Sequence, residues 1–270
     1  MKAIVAISCS ERFKKDTPTE IVVKLLEENT YIASPRTFYR VLKAKGLLKK
    51  RSDWKAPRKP YRPPELVSTG PDQVWSWDIT YLPSLVAGIY YYAYVVLDIW
   101  SRKIVGWEIH ESETPETSAL MFSRIASRRG RVARRLHSDN GNPMKGLSLL
   151  AKLYSLGVLP SYSRPRVSND NPFIESFFRT TKFHPGYPGR FASIDHARLW
   201  FADFVDWYNT EHRHSGIGYV TPSQRHAGLD IELFAKRNRT IAIARAFKPI
   251  DGHRLRDWRR PDRVVLNPAV

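Results

Sequence analysis

From Val74 to Tyr81 the chain alternates as a half-buried β-strand does. Period two puts Trp75, Trp77, Ile79 and Tyr81 on one face and Ser76, Asp78 and Thr80 on the other. The next segments are equally clear. Ile89 to Ile99 and Lys103 to His110 are β-rich and joined by the short Trp100-Ser101-Arg102 turn, which predicts an antiparallel meander of three strands. Residues 115–129 read as helix, 133–138 as strand, 144–156 as helix and 158–162 as strand. A helix around Glu175 comes next, then one from Ile194 to Tyr208 with Ile194, Ala197, Phe201, Phe204, Val205 and Tyr208 on one stripe. Hairpins followed by alternating helices and strands imply an α/β fold with a mixed sheet covered by helices.

Three acids fall at distinctive places in this order. Asp78 is mid-strand. Asp139 comes just after the short strand-like run Ala133 to His137 and is followed at once by the turn signal Asn140-Gly141. Glu175, with 35 residues between it and Asp139, shares a polar helical stripe with Asn171, Arg179 and Lys182, while Phe173, Ile174, Phe177 and Phe178 pack elsewhere. Carboxylates from two strands and a helix suit a pair of hard divalent cations, Mg²⁺ or Mn²⁺. Two such ions roughly 3.5–4 Å apart serve in-line phosphoryl displacement. Without cations the three would raise one another's pKa values. A chain with 26 acidic residues offers many triplets, so spacing alone does not single this one out.

The local words do. Trp77-Asp78-Ile79-Thr80-Tyr81 is followed by Leu97-Asp98-Ile99-Trp100-Ser101-Arg102-Lys103-Ile104-Val105-Gly106-Trp107 and by His137-Ser138-Asp139-Asn140-Gly141. Next come Asn171-Pro172-Phe173-Ile174-Glu175-Ser176-Phe177-Phe178, and then Tyr208-Asn209 through His212-Arg213-His214 to Thr221-Pro222. In this order, over about residues 16–268, the chain resembles an insertion-sequence transposase of the retroviral-integrase (DDE) superfamily, the integrase-core protein of the second reading frame. The resemblance implies a ribonuclease H-like fold with Asp78, Asp139 and Glu175 as catalytic metal ligands. It also implies a basic residue at Lys182 against DNA phosphate.

Charge is consistent with a polyanionic partner. The formal net charge is +18, distributed as +8 over residues 1–72, +3 over 73–235 and +7 over 236–270. This predicts basic DNA-gripping ends around a nearly neutral core, although RNA or an anionic membrane would also attract such a chain. Cys9 is the single cysteine, so no disulfide forms within the chain and no multi-cysteine zinc finger is possible. The longest apolar stretch, Ile89 to Leu97, is about half a membrane span. A soluble, cytoplasmic protein is expected, with no membrane partner.

Near the amino terminus, Thr17-Pro18-Thr19-Glu20 opens a helix carrying Ile21, Val22, Leu25 and Leu26. Ser34 then caps a second, with Pro35 at its first position, which runs to Lys45 and stops at Gly46. Arg36, Arg40 and Lys43 share a face opposite Phe38, Val41 and Leu42, the form of a recognition helix. Periodicity leaves a plain helical pair with a solvated basic face equally open; the resemblance implies a helix-turn-helix. The expected organisation is a helix-turn-helix at 1–48, a basic Pro-rich linker at 49–72, the integrase core at 73–235 and a basic tail at 236–270.

Other residues carry weaker expectations. Asn171 either orients Glu175 or touches a nucleotide, and Arg179, Lys182 and Arg213 are expected DNA contacts. His137 reads equally as packed or functional. Asp98, the chief competitor to the triad, is expected to pair with a basic neighbour such as Arg102. The function this implies is cleavage of element ends and transfer of a 3′-hydroxyl into DNA, which is DNA integration and recombination. Double-stranded DNA, a homo-oligomer on that DNA and an upstream-frame partner or fusion are the expected partners. A catalytically inactive DNA-binding relic and a ribonuclease H-like nuclease are the alternatives.

Overall fold

The computed structural model describes residues 1–48, 65–164, 170–247 and 258–268, and the chain divides into one unit within 1–61 and another within 62–270. Most of the expected linker, residues 49–64, lies outside the described residues, as do residues 248–257 and 269–270 of the expected tail.

Among the described residues, the first unit has three helices, α1 (Lys2–Ser8), α2 (Pro18–Glu27) and α3 (Pro35–Ala44). Thr17 and Glu20 close a capping box on α2, each side chain accepting from the other's backbone N–H. Ile4, Phe13, Ile21, Val22, Leu25, Phe38, Val41 and Leu42 form its core. Ser34 stands at the N-cap of α3, but its hydroxyl meets that of Thr37 at 3.2 Å and not a backbone N–H. Burial of Phe38, Val41 and Leu42 turns Arg36, Arg40 and Lys43 outward, and all three are exposed. Helix α1 was not expected. It has no capping side chain and contributes one buried residue, Ile4.

The second unit opens with β1 (Leu66–Ser68), β2 (Val74–Pro83), β3 (Tyr90–Asp98), β4 (Ile104–His110) and α4 (Pro115–Arg129). It continues through β5 (Arg135–Ser138), α5 (Asn142–Lys145), α6 (Leu147–Ser155), β6 (Leu159–Tyr162), α7 (Pro172–Lys182) and α8 (Ile194–Thr210). It ends with α9 (Pro222–His226), α10 (Asp230–Phe247) and β7 (Val264–Leu266). Five strands make one mixed sheet in the order β4-β3-β2-β5-β6. The expected meander is there, with β2–β3 and β3–β4 antiparallel, and β5 and β6 then join in parallel.

The alternation of β2 explains the layering. Trp75 and Trp77 enter a core with Tyr94, Val96, Phe122, Ile125, Leu136 and Leu149, on the α4–α6 side of the sheet. Val74 and Leu82 enter another with Val95, Leu97, Ile174, Phe177, Phe201, Phe204 and Tyr208, on the α7–α8 side. Asp78 therefore lies under the helix that carries Glu175.

Helix α4 lies so close to β4 that a Cβ on Gly106 would fall 2.2 Å from Ile125 Cδ1. Gly106→Ala is thus expected to destabilise the core by about 1–3 kcal/mol through overpacking. The shift in urea midpoint measures it, and Ile125→Val in the same chain should recover part of the loss.

Two short strands lie where a linker and a tail were expected. Leu66–Ser68 pairs antiparallel with Val264–Leu266, and Leu66, Val264 and Leu266 are buried in the α7–α8 core. Three residues are too few for alternation to be read, and their partner lies almost 200 residues away.

Candidate active site

Residues Ser76 and His137 are register partners in the parallel β2–β5 pair. Two residues further on come Asp78, still within β2, and Asp139, just past the end of β5. The two acids thus emerge from neighbouring strands at the same edge of the core. Asp78 is half-buried and accepts the Ile79 N–H at 2.8 Å. Asp139 is exposed just past the end of β5, where its Oδ1 accepts the Gly141 N–H at 2.9 Å and shapes the predicted turn. Glu175 stands exposed in the first turn of α7.

The carboxylates sense one another. Asp78 is pushed up to about 7, first by burial and then by the charge of Asp139, with smaller pushes from Glu175 and Glu113 against the lowering effect of the Ile79 N–H. Burial alone raises Glu175. Hard oxygen donors whose charges raise the proton affinity of Asp78 are a donor set suited to a divalent cation. Among the described residues, no three His, Cys, Asp or Glu side chains stand in a closed ligating group. Glu113, in the loop after β4, belongs to no sequence word, and nothing in its Glu111-Ser112-Glu113 setting marked it beforehand.

Asn171 is buried, 3% exposed, at the N-cap of α7, with its amide engaged by β2. Arg179 and Lys182 are exposed along α7, and Arg213 is exposed with Nη1 donating to Gln224 Oε1 at 3.2 Å. His137 is fully buried; burial pushes it down to about 4, and its ring nitrogens meet Ser161, Ser163 and the Asp170 carbonyl. His212 stacks on Tyr208, and His214 Nδ1 accepts the Gly216 N–H at 3.0 Å, both packing roles.

Asp98 does not pair with Arg102. It accepts the Asp72 and Ser101 N–H groups at 3.0 and 2.9 Å and the Ser101 hydroxyl at 2.6 Å. Arg102 sits at φ 64, donates to the Ile99 carbonyl and lies over the Phe173 ring at 3.8 Å. The left-handed turn aims its side chain away from the carboxylate.

Asp98 is instead joined with Asp72 and His226. The His226 ring lies between the two acids, with Nε2 at 3.4 Å from Asp72 and Nδ1 at 3.7 Å from Asp98, and Arg129 also bonds Asp72 at 3.0 Å. Burial opposes both charges, yet Asp72 is held down at about 2 by His226 and Arg129, and the two carboxylates raise His226. Asp72 contributes stability above its unfolded pKa of ~3.9 that is lost as pH falls towards 2. His226 contributes stability below its unfolded pKa of ~6.5 that is lost as pH rises through its raised folded value. The cluster is expected to be strongest between about pH 4 and 6.5, and His226→Gln should flatten the alkaline limb of the urea midpoint against pH.

A mixed five-stranded sheet of this order, covered by helices on both faces, is the ribonuclease H-like architecture of an integrase catalytic core. Residues 68–168 and 156–222 each match a family described as an integrase core domain. Together the two matches span residues 68–222, so this stretch of the chain is similar to an integrase core. The chain is 29% identical over 162 residues to the Escherichia coli (strain K12) transposase InsF for insertion sequence IS3A, covering 59% of this chain and 56% of that one. It is 28% identical over 160 residues to the transposase for insertion sequence element IS904 of Lactococcus lactis subsp. lactis (strain IL1403), covering 57% and 61%. The aligned region thus spans less than two thirds of these relatives. Among solved structures, a simian T-cell lymphotropic virus intasome is similar at TM-score 0.49 and 15% identity, over 77% of this chain and 74% of that one. The magnesium-bound HTLV-2 integrase catalytic core is similar at TM-score 0.44 and 17% identity, over 58% and 97%. No helix among the described residues is long and apolar enough to cross a membrane.

Proposed function

We propose that this chain is a DNA transposase that cleaves element ends in a metal-dependent reaction and joins the 3′-hydroxyl to target DNA. The observation that supports this reading is that Asp78 and Asp139 each follow by two residues the β2–β5 partners Ser76 and His137, with the charges of Asp139 and Glu175 both acting on Asp78. Asp78, Asp139 and Glu175 would hold Mg²⁺ or Mn²⁺, in a pair, and the bound ions would neutralise the carboxylates and favour in-line displacement at phosphorus. The chain's own part is to hold the three acids and grip the DNA. Arg179 and Lys182 extend from Glu175 along the exposed side of α7, where phosphate contacts would orient the strand. Arg213 would add to this grip.

The three-helix unit would recognise element ends through Arg36, Arg40 and Lys43 on α3, acting as a helix-turn-helix. The proposed order is residues 1–48 for end recognition, 49–72 as linker, 73–235 as core and 236–270 as a basic tail, with Leu66–Ser68 of the linker and Val264–Leu266 of the tail packed into the core. The protein would act in the cytoplasm, as an oligomer that brings two ends together, with an upstream-frame partner where one exists.

A pre-cut element end with a free 3′-hydroxyl, supplied with target DNA, Mg²⁺ or Mn²⁺ and that partner, tests the reading. Covalently joined DNA is expected, with Lys182→Ala reducing it through a weaker DNA grip. Hydrolysed fragments alone would favour a nuclease, and binding without chemistry a relic. Replacing Arg36, Arg40 and Lys43 together by Ala should lower end-specific binding more than nonspecific binding; equal loss of both would place recognition elsewhere.

A further inference from the structure

Beneath the three acids lies a second layer of polar side chains, all buried and all bonded to one another's elements. Ser76, 0% exposed, donates its hydroxyl to Asn171 Oδ1, and Asn171 Nδ2 donates to the Trp77 carbonyl at 3.3 Å. A carbonyl can only accept, so the amide orientation is fixed, its NH₂ towards Trp77 and its oxygen towards Ser76. The next residue back, Asp170, accepts from His137 Nε2 at its backbone carbonyl, 3.0 Å away. That bond makes Nε2 the protonated nitrogen, so the Ser161 hydroxyl donates to Nδ1 at 3.2 Å. The Asp170 carboxylate is itself held by the Arg164 backbone and guanidinium at 2.8 Å each.

The spacing of this layer matches that of the acids above it. Ser76 lies two residues before Asp78, His137 two before Asp139, and Asn171 four before Glu175, with the Glu175 N–H bonded to the Asn171 carbonyl at 3.3 Å. Two strand residues advance ~6.7 Å and four helix residues ~6 Å, so Asp78 and Glu175 stand about one equal step beyond their anchors, and Asp139 follows its anchor just past the end of β5. Buried polar groups tolerate little displacement, because a broken bond leaves an unpaired donor or acceptor away from water.

We propose that the Ser76–Asn171–Asp170–His137 network is a positioning device that sets the mutual spacing of Asp78, Asp139 and Glu175 for cation binding, with Asn171 its central member. Asn171 and Ser76 are both buried, and in this proposal each acts through the acids it spaces. The proposal rests on the function proposed above and reaches further, since it assigns the geometry of the site to residues that are not ligands.

The test is Mn²⁺ uptake by the full chain without DNA, read as free Mn²⁺ by electron paramagnetic resonance. Asn171→Ala and Ser76→Ala are each expected to weaken Mn²⁺ affinity by about 10-fold or more. The double variant should lose little beyond the worse single one, because the two side chains share a bond. Thr181→Val is the control. Thr181 is 1% exposed on the same helix and bonds only the Phe177 carbonyl, so this variant should disturb α7 without moving the acids. Unchanged affinity in folded Asn171→Ala and Ser76→Ala, or an equal loss in Thr181→Val, would overturn the proposal while leaving the triad standing. Should Asn171→Ala fail to fold, Ser76→Ala, which removes a single hydroxyl, decides alone. A wild-type chain that takes up no Mn²⁺ would instead overturn the reading of the three acids, and this inference with it.

Discussion

Replacing any one of the three acids by its amide, as Asp78→Asn, Asp139→Asn or Glu175→Gln, is expected to reduce both cleavage and joining below detection. DNA binding and folding should remain. The amides keep the size and much of the local bonding: the Ile79 N–H can still be met at position 78 and the Gly141 N–H at position 139. What they remove is the negative charge that draws and holds a divalent cation. The loss should therefore appear in cation uptake before it appears in stability. Asp78→Asn has a further consequence in cation-free protein. Its carboxyl is pushed up to about 7 by burial and by Asp139, so at higher pH the charged form is disfavoured by the fold, and the neutral amide should raise the melting temperature there. Loss of chemistry together with equal or greater cation-free stability marks a ligand. Near wild-type cleavage by any of the three variants would remove that residue from the site.

Much of the core was legible because its signals are local. Helix α4 begins at Pro115 behind a Thr114 cap and ends at Gly130, at φ 65, so pattern and termini agree. The three-stranded meander follows from alternation and a short turn, and the Asp78 face follows from its two flanking tryptophans. What escaped was non-local or unpatterned. Strands β1 and β7 acquire their structure only from each other. Helix α10 scatters its apolar residues around its axis, so no stripe announced it inside a segment read as tail. The partner of Asp98 was misjudged because sequence proximity favoured Arg102, whereas the positive φ of that residue sends its guanidinium over Phe173 and leaves Asp98 to Ser101 and His226. The three acids were singled out from words, whereas the β2–β5 register, Ser76 against His137, and the polar layer around it required the folded chain.

Asp230→Ala is expected to cost about 3–5 kcal/mol, the largest loss of stability from any single substitution considered for this protein. Asp230 and Arg225 are both fully buried and meet at 2.9 Å. Arg225 also donates to the Trp100 carbonyl at 2.9 Å and lies 4.1 Å over the Trp100 ring, so it fastens α9 and the start of α10 onto the β3–β4 turn. Burial pushes the Arg225 guanidinium down and Asp230 opposes that fall, while the neighbouring Arg260, 3.5 Å from Asp230, adds to it. Removing the acid would strand one cation without water beside a second, a worse outcome than removing the pair. The double variant Arg225→Met/Asp230→Leu, which puts apolar volume in place of both charges, should be more stable than Asp230→Ala alone. Urea denaturation of Arg225→Met, Asp230→Leu and their double variant closes a cycle, and a coupling energy near zero would show that the pair does not hold these helices. Because Trp100 begins the turn that follows Asp98, the same loosening should reach the Asp72–His226–Asp98 cluster. Asp230→Ala should therefore lose the His226-dependent alkaline limb of the pH profile, whereas a purely local defect would leave that limb intact.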